Sequence, residues 1–175
     1  MQCKKALEEA NGDVEKAKVI LRKLSSQIAS KKADRALGAG VAAAYTHAGG
    51  AVVGAVVLGS ETDFVSKNQE FAKLAYDIAM HVAAMNPQFV ARENVKESDI
   101  AAAKSVFQGE VANVPEAARE KALQGKLDSY LKDKVLMEQP FVKNPDVTVG
   151  DLVNQAIQKF GEKVQVMRFE RLSVK

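Results

Sequence analysis

The sequence is poor in the residues that build metal clusters, disulfides and aromatic cores. Among its 175 residues stand one cysteine, Cys3, and two histidines, His47 and His81. A lone thiol closes no intramolecular disulfide, and so few donors assemble no Cys/His metal cluster, so a reducing compartment is expected. Tryptophan is absent and aromatics make up 6% of the chain, so a core of Val, Leu, Ile and Ala on closely approaching helices is expected, rather than a sandwich. No apolar run reaches the roughly 18 residues of a membrane span, and the N-terminus has no apolar signal-peptide stretch. The expectation is a cytoplasmic chain with no membrane partner. A net charge of +3 is too small to argue for nucleic acid.

What is present is an ordinary globular balance, 47% hydrophobic and 27% charged, at a length that suits one domain with a small appendage. The charge is unevenly placed. Residues 1–35 hold 9 basic and 5 acidic side chains, and the remainder 16 and 17. Such a basic stretch can be a solvated helix face, a docking surface for an acidic partner or a phosphate contact.

Periodicity divides the chain. Cys3, Ala6, Leu7 and Ala10 recur at helical spacing until Asn11-Gly12 breaks them. Asp13 is a plausible N-cap for an amphipathic helix carrying Val14, Ala17, Leu21, Leu24 and Ile28. A polar, Lys-rich stretch from Ser25 to Arg35 follows, in which few residues forbid a helix. The organisation expected is a helical N-terminal unit over 1–30, a linker over 31–40 and a core over 41–175. Val41 to His47 and Ala51 to Gly59, separated by Ala48-Gly49-Gly50, read as a β-hairpin whose second strand is apolar on both faces and should be well buried. Ser66 with Gln69 has capping-box spacing before the stripe Phe71, Leu74, Ile78, Val82 and Met85, which Asn86-Pro87 stops. Weaker helical patterns cover Ser98 to Glu110, a segment from Pro115, placed at a first helical position, and Tyr130 to Val135. Thr148 and Asp151 form a second capping box, with Gly161 closing that helix. Val164 to Leu172 reads as a strand whose apolar phase slips between Val166 and Met167, as at a bulge. The fold class expected is α+β: a small, mainly antiparallel three-stranded sheet with helices packed on one face.

Four sites invite a chemical reading. Gly38-Ala39-Gly40-Val41-Ala42-Ala43 fits a loose G-x-G-x-x-A loop with Asp63 further on, the alternative being a nucleotide-binding enzyme built on Gly38 and Gly40; the required strand-before, helix-after context is missing. His81, one turn after Asp77, has an acid at orienting distance but no nucleophile, and reads as a structural or surface histidine. Cys3 reads as a helix-packing residue. At Thr62-Asp63-Phe64-Val65 an apolar strand ends in an acid and a large aromatic. Phe64 either fills the gap between strand and helix or projects as a wedge that enters a partner's pocket with little ordering entropy to lose.

Glu61-Thr62-Asp63-Phe64-Val65-Ser66-Lys67-Asn68 resembles the core signature of the translation elongation factor Ts family. Met1 to Asp13 (Met-Gln-Cys-Lys-Lys-Ala-Leu-Glu-Glu-Ala-Asn-Gly-Asp) is similar to the second half of that family's N-terminal signature. Ile78-Ala79-Met80-His81-Val82-Ala83 and Gln139-Pro140-Phe141-Val142 also resemble family segments, and the four lie in the family's order. The resemblance implies a guanine nucleotide exchange factor for elongation factor Tu in translation elongation, one that makes and breaks no bonds and needs no cofactor or metal. It implies a helical ubiquitin-associated-type domain before the core, of which this sequence lacks the first helix and its Gly-rich turn, so that either the start is misassigned or the domain is incomplete. Thr62, Asp63, Phe64 and Val65 would meet the partner's nucleotide-binding domain. Phe64 would wedge between side chains there and disturb the magnesium and phosphate environment; Lys4 and His81 match positions tied to partner contact. Longer relatives carry a duplicated core and a helical hairpin. This chain has one core copy and resembles the short forms, so a homodimer is expected, with the basic N-terminal patch a protein-docking or solvated surface and no nucleic acid bound.

Overall fold

In the computed structural model, which describes residues 2–174, the apolar run after Gly50 is the middle strand of the sheet. Strands β1 (Ala39–His47), β2 (Val52–Ser60) and β5 (Val164–Ser173) pair antiparallel in the order β1-β2-β5. The architecture is therefore the expected α+β. Gly49 and Gly50 make the β1–β2 connection at φ 66° and 102°, a region glycine enters without steric penalty. Leu58 pairs with Val166 and Val57 with Arg168, which leaves Met167 as the extra residue of a bulge where the apolar phase slips.

The long helix α4 (Gln69–Met85) lies on this sheet. Phe71, Ala75, Ile78, Ala79 and Val82 are fully buried against Val56 and Leu58, each large side chain contributing roughly 1.5–3 kcal/mol. The closest approach is at Gly54, where a Cβ would stand 2.2 Å from the Ala79 carbonyl oxygen and 2.7 Å from the Ala83 nitrogen. A glycine there lets the helix settle onto the strand. Burial of β2 on both faces does not hold: Gly54, Val56 and Leu58 face the helix, whereas Val53, Ala55 and Val57 on the opposite face stay half-buried. Among the described residues, helices pack on one side of the sheet.

The helix expected to open at Ser66 is divided. A single turn, α3 (Asp63–Ser66), follows Thr62, and α4 begins after Asn68, whose Oδ1 accepts from the Glu70 N–H at 2.8 Å. Asn68 wins because its short amide reaches the unpaired amides of the first turn. Asn86 ends α4 in the left-handed region at φ 49°. Helices α5 (Glu97–Glu110) and α6 (Glu116–Lys134) form a helical hairpin, so this single-core chain has a feature that the resemblance attaches to longer forms. Helix α6 runs unbroken through the two segments expected there, with Pro115 at its N-cap. Arg92 ties the hairpin down by hydrogen bonds to Asp128 of α6 and to Glu138.

A second, two-stranded sheet, β3 (Pro140–Phe141) with β4 (Asn144–Thr148), is too short to leave a periodic trace. Helix α7 (Val149–Phe160) opens on the expected capping box: Thr148 Oγ1 accepts from Asp151 N–H and an Asp151 carboxylate oxygen from Thr148 N–H, both at 3.0 Å. Gly161 closes it at φ 71°.

At the N-terminal end, α1 (Gln2–Glu9) and α2 (Val14–Lys31) pack through Ala6, Ala10 and Ala17, and Asp13 caps α2 by accepting from Lys16 N–H. Helix α2 absorbs much of the Lys-rich stretch and lies along α7, with Arg22 donating to the Asp146 carbonyl at 2.5 Å. Its Ile28 and Ala29 join the main core. Among the described residues no helix is long and apolar enough to cross a membrane.

Candidate functional site

The Thr62–Val65 turn sits where β2 hands over to α3, and its residues divide by burial. Phe64 is 83% exposed whereas Val65 is 3% exposed. The gap-filling reading of Phe64 is thereby overturned, and Val65, expected at a partner surface, belongs to the core. Val65 anchors the turn from beneath, so the aromatic ring beside it stands out into solvent. A single helical turn produces this division because neighbouring side chains diverge by roughly 100°.

Asp63 shares the exposed side. Lys67, one turn on, donates to its carboxylate at 2.6 Å. This hydrogen bond and the lysine's charge hold the Asp63 carboxyl below its ordinary range and the Lys67 ammonium above its own. The exposed side of the turn therefore presents an ionised acid, its lysine partner and a bare aromatic ring.

Behind the turn lies a bracing cluster. The Ser60 hydroxyl donates to the Thr62 carbonyl at 2.9 Å. Thr62 N–H and hydroxyl both donate to Glu162, at 3.0 and 2.6 Å. Glu61 accepts from Lys163 N–H at 2.5 Å and from Arg35 at 3.1 and 3.2 Å, and these contacts, the backbone one foremost, lower its carboxyl below the usual value. Lys163 Nζ in turn donates to the carbonyls of Ala33 and Arg35 at 2.5 and 2.9 Å. Three chain segments, residues 33–35, 60–62 and 162–163, thus converge behind Phe64. Sequence reasoning missed Glu162, Lys163 and Arg35. Their signal was confined to the Gly161 helix stop, which marks where the chain turns, without saying toward what.

The other expected site residues lie elsewhere. His81 is fully buried on α4. Its Nδ1 accepts from the Val142 N–H at 3.2 Å, which places the proton on Nε2, 2.9 Å from the Gln139 amide oxygen. Burial pushes its pKa below the usual histidine value. The ring offers no surface to a partner and instead pins the β3–β4 segment onto α4. Lys4 is exposed on α1, 3.8 Å from Glu8, and among the described residues no ion pair or hydrogen bond joins it to the Thr62–Val65 turn. Cys3 is exposed. A cleft of about 610 Å³ between α1, α2 and α7 is lined by Gln2, Cys3, Arg22, Asp151 and Gln158, and by none of the Thr62–Val65 residues.

The dinucleotide-loop alternative fails on context. Gly40 lies inside β1 opposite Gly59 and the chain continues as a strand, so no helix N-terminus follows to meet a phosphate. A Cβ at Gly40 would stand 2.6 Å from the Leu58 carbonyl oxygen, and one at Gly38 2.9 Å from that of Glu61. Both glycines serve close backbone approach.

Residues 5–175 match the family model described as "Elongation factor TS". Curated relatives named "Elongation factor Ts" include one from Carboxydothermus hydrogenoformans, 46% identical over 180 residues, covering 99% of this chain and 81% of the relative. That of Moorella thermoacetica is 44% identical over 176 residues, covering 99% and 87%, and that of Desulfotalea psychrophila 45% over 177, covering 99% and 89%. With the model matched over nearly the whole chain and the signature turn exposed on a braced support, the chain belongs to the elongation factor Ts family, which gives it a role in translation elongation.

Proposed function

We propose that the chain binds elongation factor Tu in the cytoplasm and promotes release of its GDP, with Asp63 and Phe64 as the residues presented to the partner's nucleotide-binding domain. The observation that carries this reading is the 83% exposure of Phe64 on a turn whose neighbours are buried or hydrogen-bonded. A large ring held in water by a rigid support has little ordering entropy to lose on entering a pocket. Wedged beside the bound nucleotide, it would disturb the magnesium and phosphate contacts, while the Asp63 carboxylate competes for cations or backbone donors. The factor works by linkage and not by bond chemistry: by whatever factor it weakens nucleotide binding, nucleotide weakens its own binding, so incoming GTP releases it. In this reading Thr62 and Val65 hold the wedge in place, His81 acts only through the segment it pins, and Lys4 offers a separate contact on the N-terminal helical unit.

The test is GDP release from elongation factor Tu with wild type and Phe64→Ala. Wild type accelerates release and the variant loses most of that acceleration while keeping its fold, since an exposed side chain changes stability by about 0.5 kcal/mol or less. Equal release rates would refute the role of the ring.

We further propose a homodimer through the open face of the sheet. Ala42, Ala44, Val53, Ala55 and Val57 form an apolar strip on that face, which continues on β5 to Met167 and Leu172, 54% and 67% exposed, and is bordered by Thr46 and by the opposite charges Arg168 and Glu170. Apolar sheet surface of this kind favours a second layer. Light scattering at micromolar concentration should give twice the chain mass of 18.9 kDa; a value at the chain mass would exclude the dimer.

A further inference from the structure

Thr62 occupies the N-cap of α3 with extended backbone, φ −126° and ψ 162°, yet its hydroxyl makes no capping bond to the turn it precedes. A threonine at this position ordinarily accepts from an amide of the first turn. Here the hydroxyl donates instead, at 2.6 Å, to one oxygen of Glu162, whose other oxygen accepts the Thr62 N–H at 3.0 Å. One carboxylate thus takes both donors of the residue that sets the direction of α3. Bonds to an ionised acceptor are the strong class, and a two-point grip fixes orientation as well as distance.

The placement of Glu162 follows from the chain. Gly161, in the left-handed region, ends α7 with its N–H donating to the Ile157 carbonyl at 3.0 Å and turns the chain sharply into β5. The next residue, Lys163, clamps the neighbouring Glu61 and the segment of residues 33–35 through its N–H and its Nζ. Lys32 donates to the Gly161 carbonyl at 2.6 Å. The short connection between α7 and β5 is therefore a junction on which the wedge turn and the end of the N-terminal helical unit both rest. Among the described residues no cation pairs with Glu162, whose two oxygens face Thr62.

We infer that Glu162 is the positioning residue of the exchange wedge: it orients the Thr62 N-cap so that Phe64 projects at the angle its partner requires. This rests on the exchange-factor reading above. Glu162 touches no nucleotide and acts through Thr62. Its removal should leave the docking surface in place and misalign the ring.

The test uses the full chain as wild type, Glu162→Ala, Glu162→Gln and Phe64→Ala. Amide exchange at Thr62 reads the brace itself and should accelerate about tenfold or more in Glu162→Ala, as expected when a charge-assisted bond is lost. GDP release from elongation factor Tu, followed against factor concentration, reads the consequence. Glu162→Ala should lower the maximal release rate about tenfold with the half-saturating concentration within about twofold of wild type, and Glu162→Gln, which keeps an oxygen for the Thr62 N–H, should recover most of the rate. A role confined to stability would lower the melting temperature and leave the maximal rate of the folded fraction unchanged. Glu162→Ala at the wild-type maximal rate, with Phe64→Ala impaired, would overturn the positioning role and leave the exchange reading standing. If Glu162→Ala is poorly folded, Glu162→Gln decides: faster amide exchange at Thr62 with an unchanged maximal release rate would overturn the assignment, whereas a rate that falls in step with the Thr62 protection supports it. Wild type without effect on GDP release would overturn both readings.

Discussion

His81 Nε2 lies 2.9 Å from the Gln139 side-chain oxygen, across 58 residues of sequence and wholly out of solvent. Gln139 donates onward from its amide nitrogen to the Asp133 carbonyl at 2.7 Å, and the other ring nitrogen of His81 receives the Val142 N–H. Each polar atom of this interior chain is matched to a partner of opposite character, which fixes the neutral imidazole.

A pH dependence follows from that arrangement. Asp77, one turn before His81 on α4, is held in its ionised form by Lys143 and Lys73 at 2.6 and 3.0 Å against the opposing effect of its partial burial. Protonating His81 would set a second N–H against the Val142 N–H. The folded pKa is lowered by burial, so below the ordinary value near 6.5 the unfolded chain binds a proton that the folded chain refuses. Stability attributable to this group is full above that pH and is lost as pH falls toward the folded pKa, by at most about 1.4 kcal/mol per pH unit. Urea unfolding at pH 7.5 and 5.5 should show the decline. His81→Gln should be less stable at pH 7.5 by about 1–3 kcal/mol and show a flatter dependence; equal slopes for the two proteins would contradict the assignment.

Gly54 sets the distance between α4 and β2. Gly54→Ala places a methyl against the Ala79 carbonyl and the Ala83 amide, both backbone atoms that cannot swing aside. A loss of about 1–3 kcal/mol or more is expected from overpacking. Thermal unfolding measures it, and a neutral result would mean that the helix can shift without penalty.

Asp63 and Lys67 are coupled on the exposed side of the Thr62–Val65 turn. Lys67→Ala removes the largest influence holding the Asp63 carboxyl low, so its titration, followed by carboxyl-carbon chemical shift, should move up toward the ordinary aspartate range. An unmoved midpoint would show that the backbone of the turn, and not the lysine, sets the charge.

Arg92 joins the α5–α6 hairpin to the body through Asp128 and Glu138. Arg92→Ala should speed amide exchange at the base of α6 while leaving β2 and α4 protected, because the pairs are surface contacts and the core is separate. Uniform acceleration across the chain would instead indicate that the hairpin and core unfold together.

Much of the fold was legible because it is local. The β1–β2 hairpin, the α4 stripe from Phe71 to Val82, the Thr148-Asp151 box and the slip at Met167 are each written in local spacings and appear where those place them, whereas the apolar run of β2 could not tell that only one of its faces is covered and Met85 of the stripe is exposed. Boundaries were lost where two local signals competed: Ser66 and Asn68 both have side chains that can cap, but Ser66 ends α3 with its hydroxyl donating to the Asp63 carbonyl, and Asn68 caps α4. The β3–β4 pair was invisible because a two-residue strand has no period.

The sequence by itself determined the family and singled out the Thr62-Asp63-Phe64-Val65 turn, since that motif is contiguous. Only the tertiary structure decided which way each residue points: Val65 and His81 inward, Phe64 and Asp63 outward. It also brought Glu162 to Thr62 and Lys163 to Glu61 across about a hundred residues. The physical reason is that exposure and bracing depend on which distant segment packs against a turn, and the closure of a long loop leaves no mark in the spacing of the residues it joins.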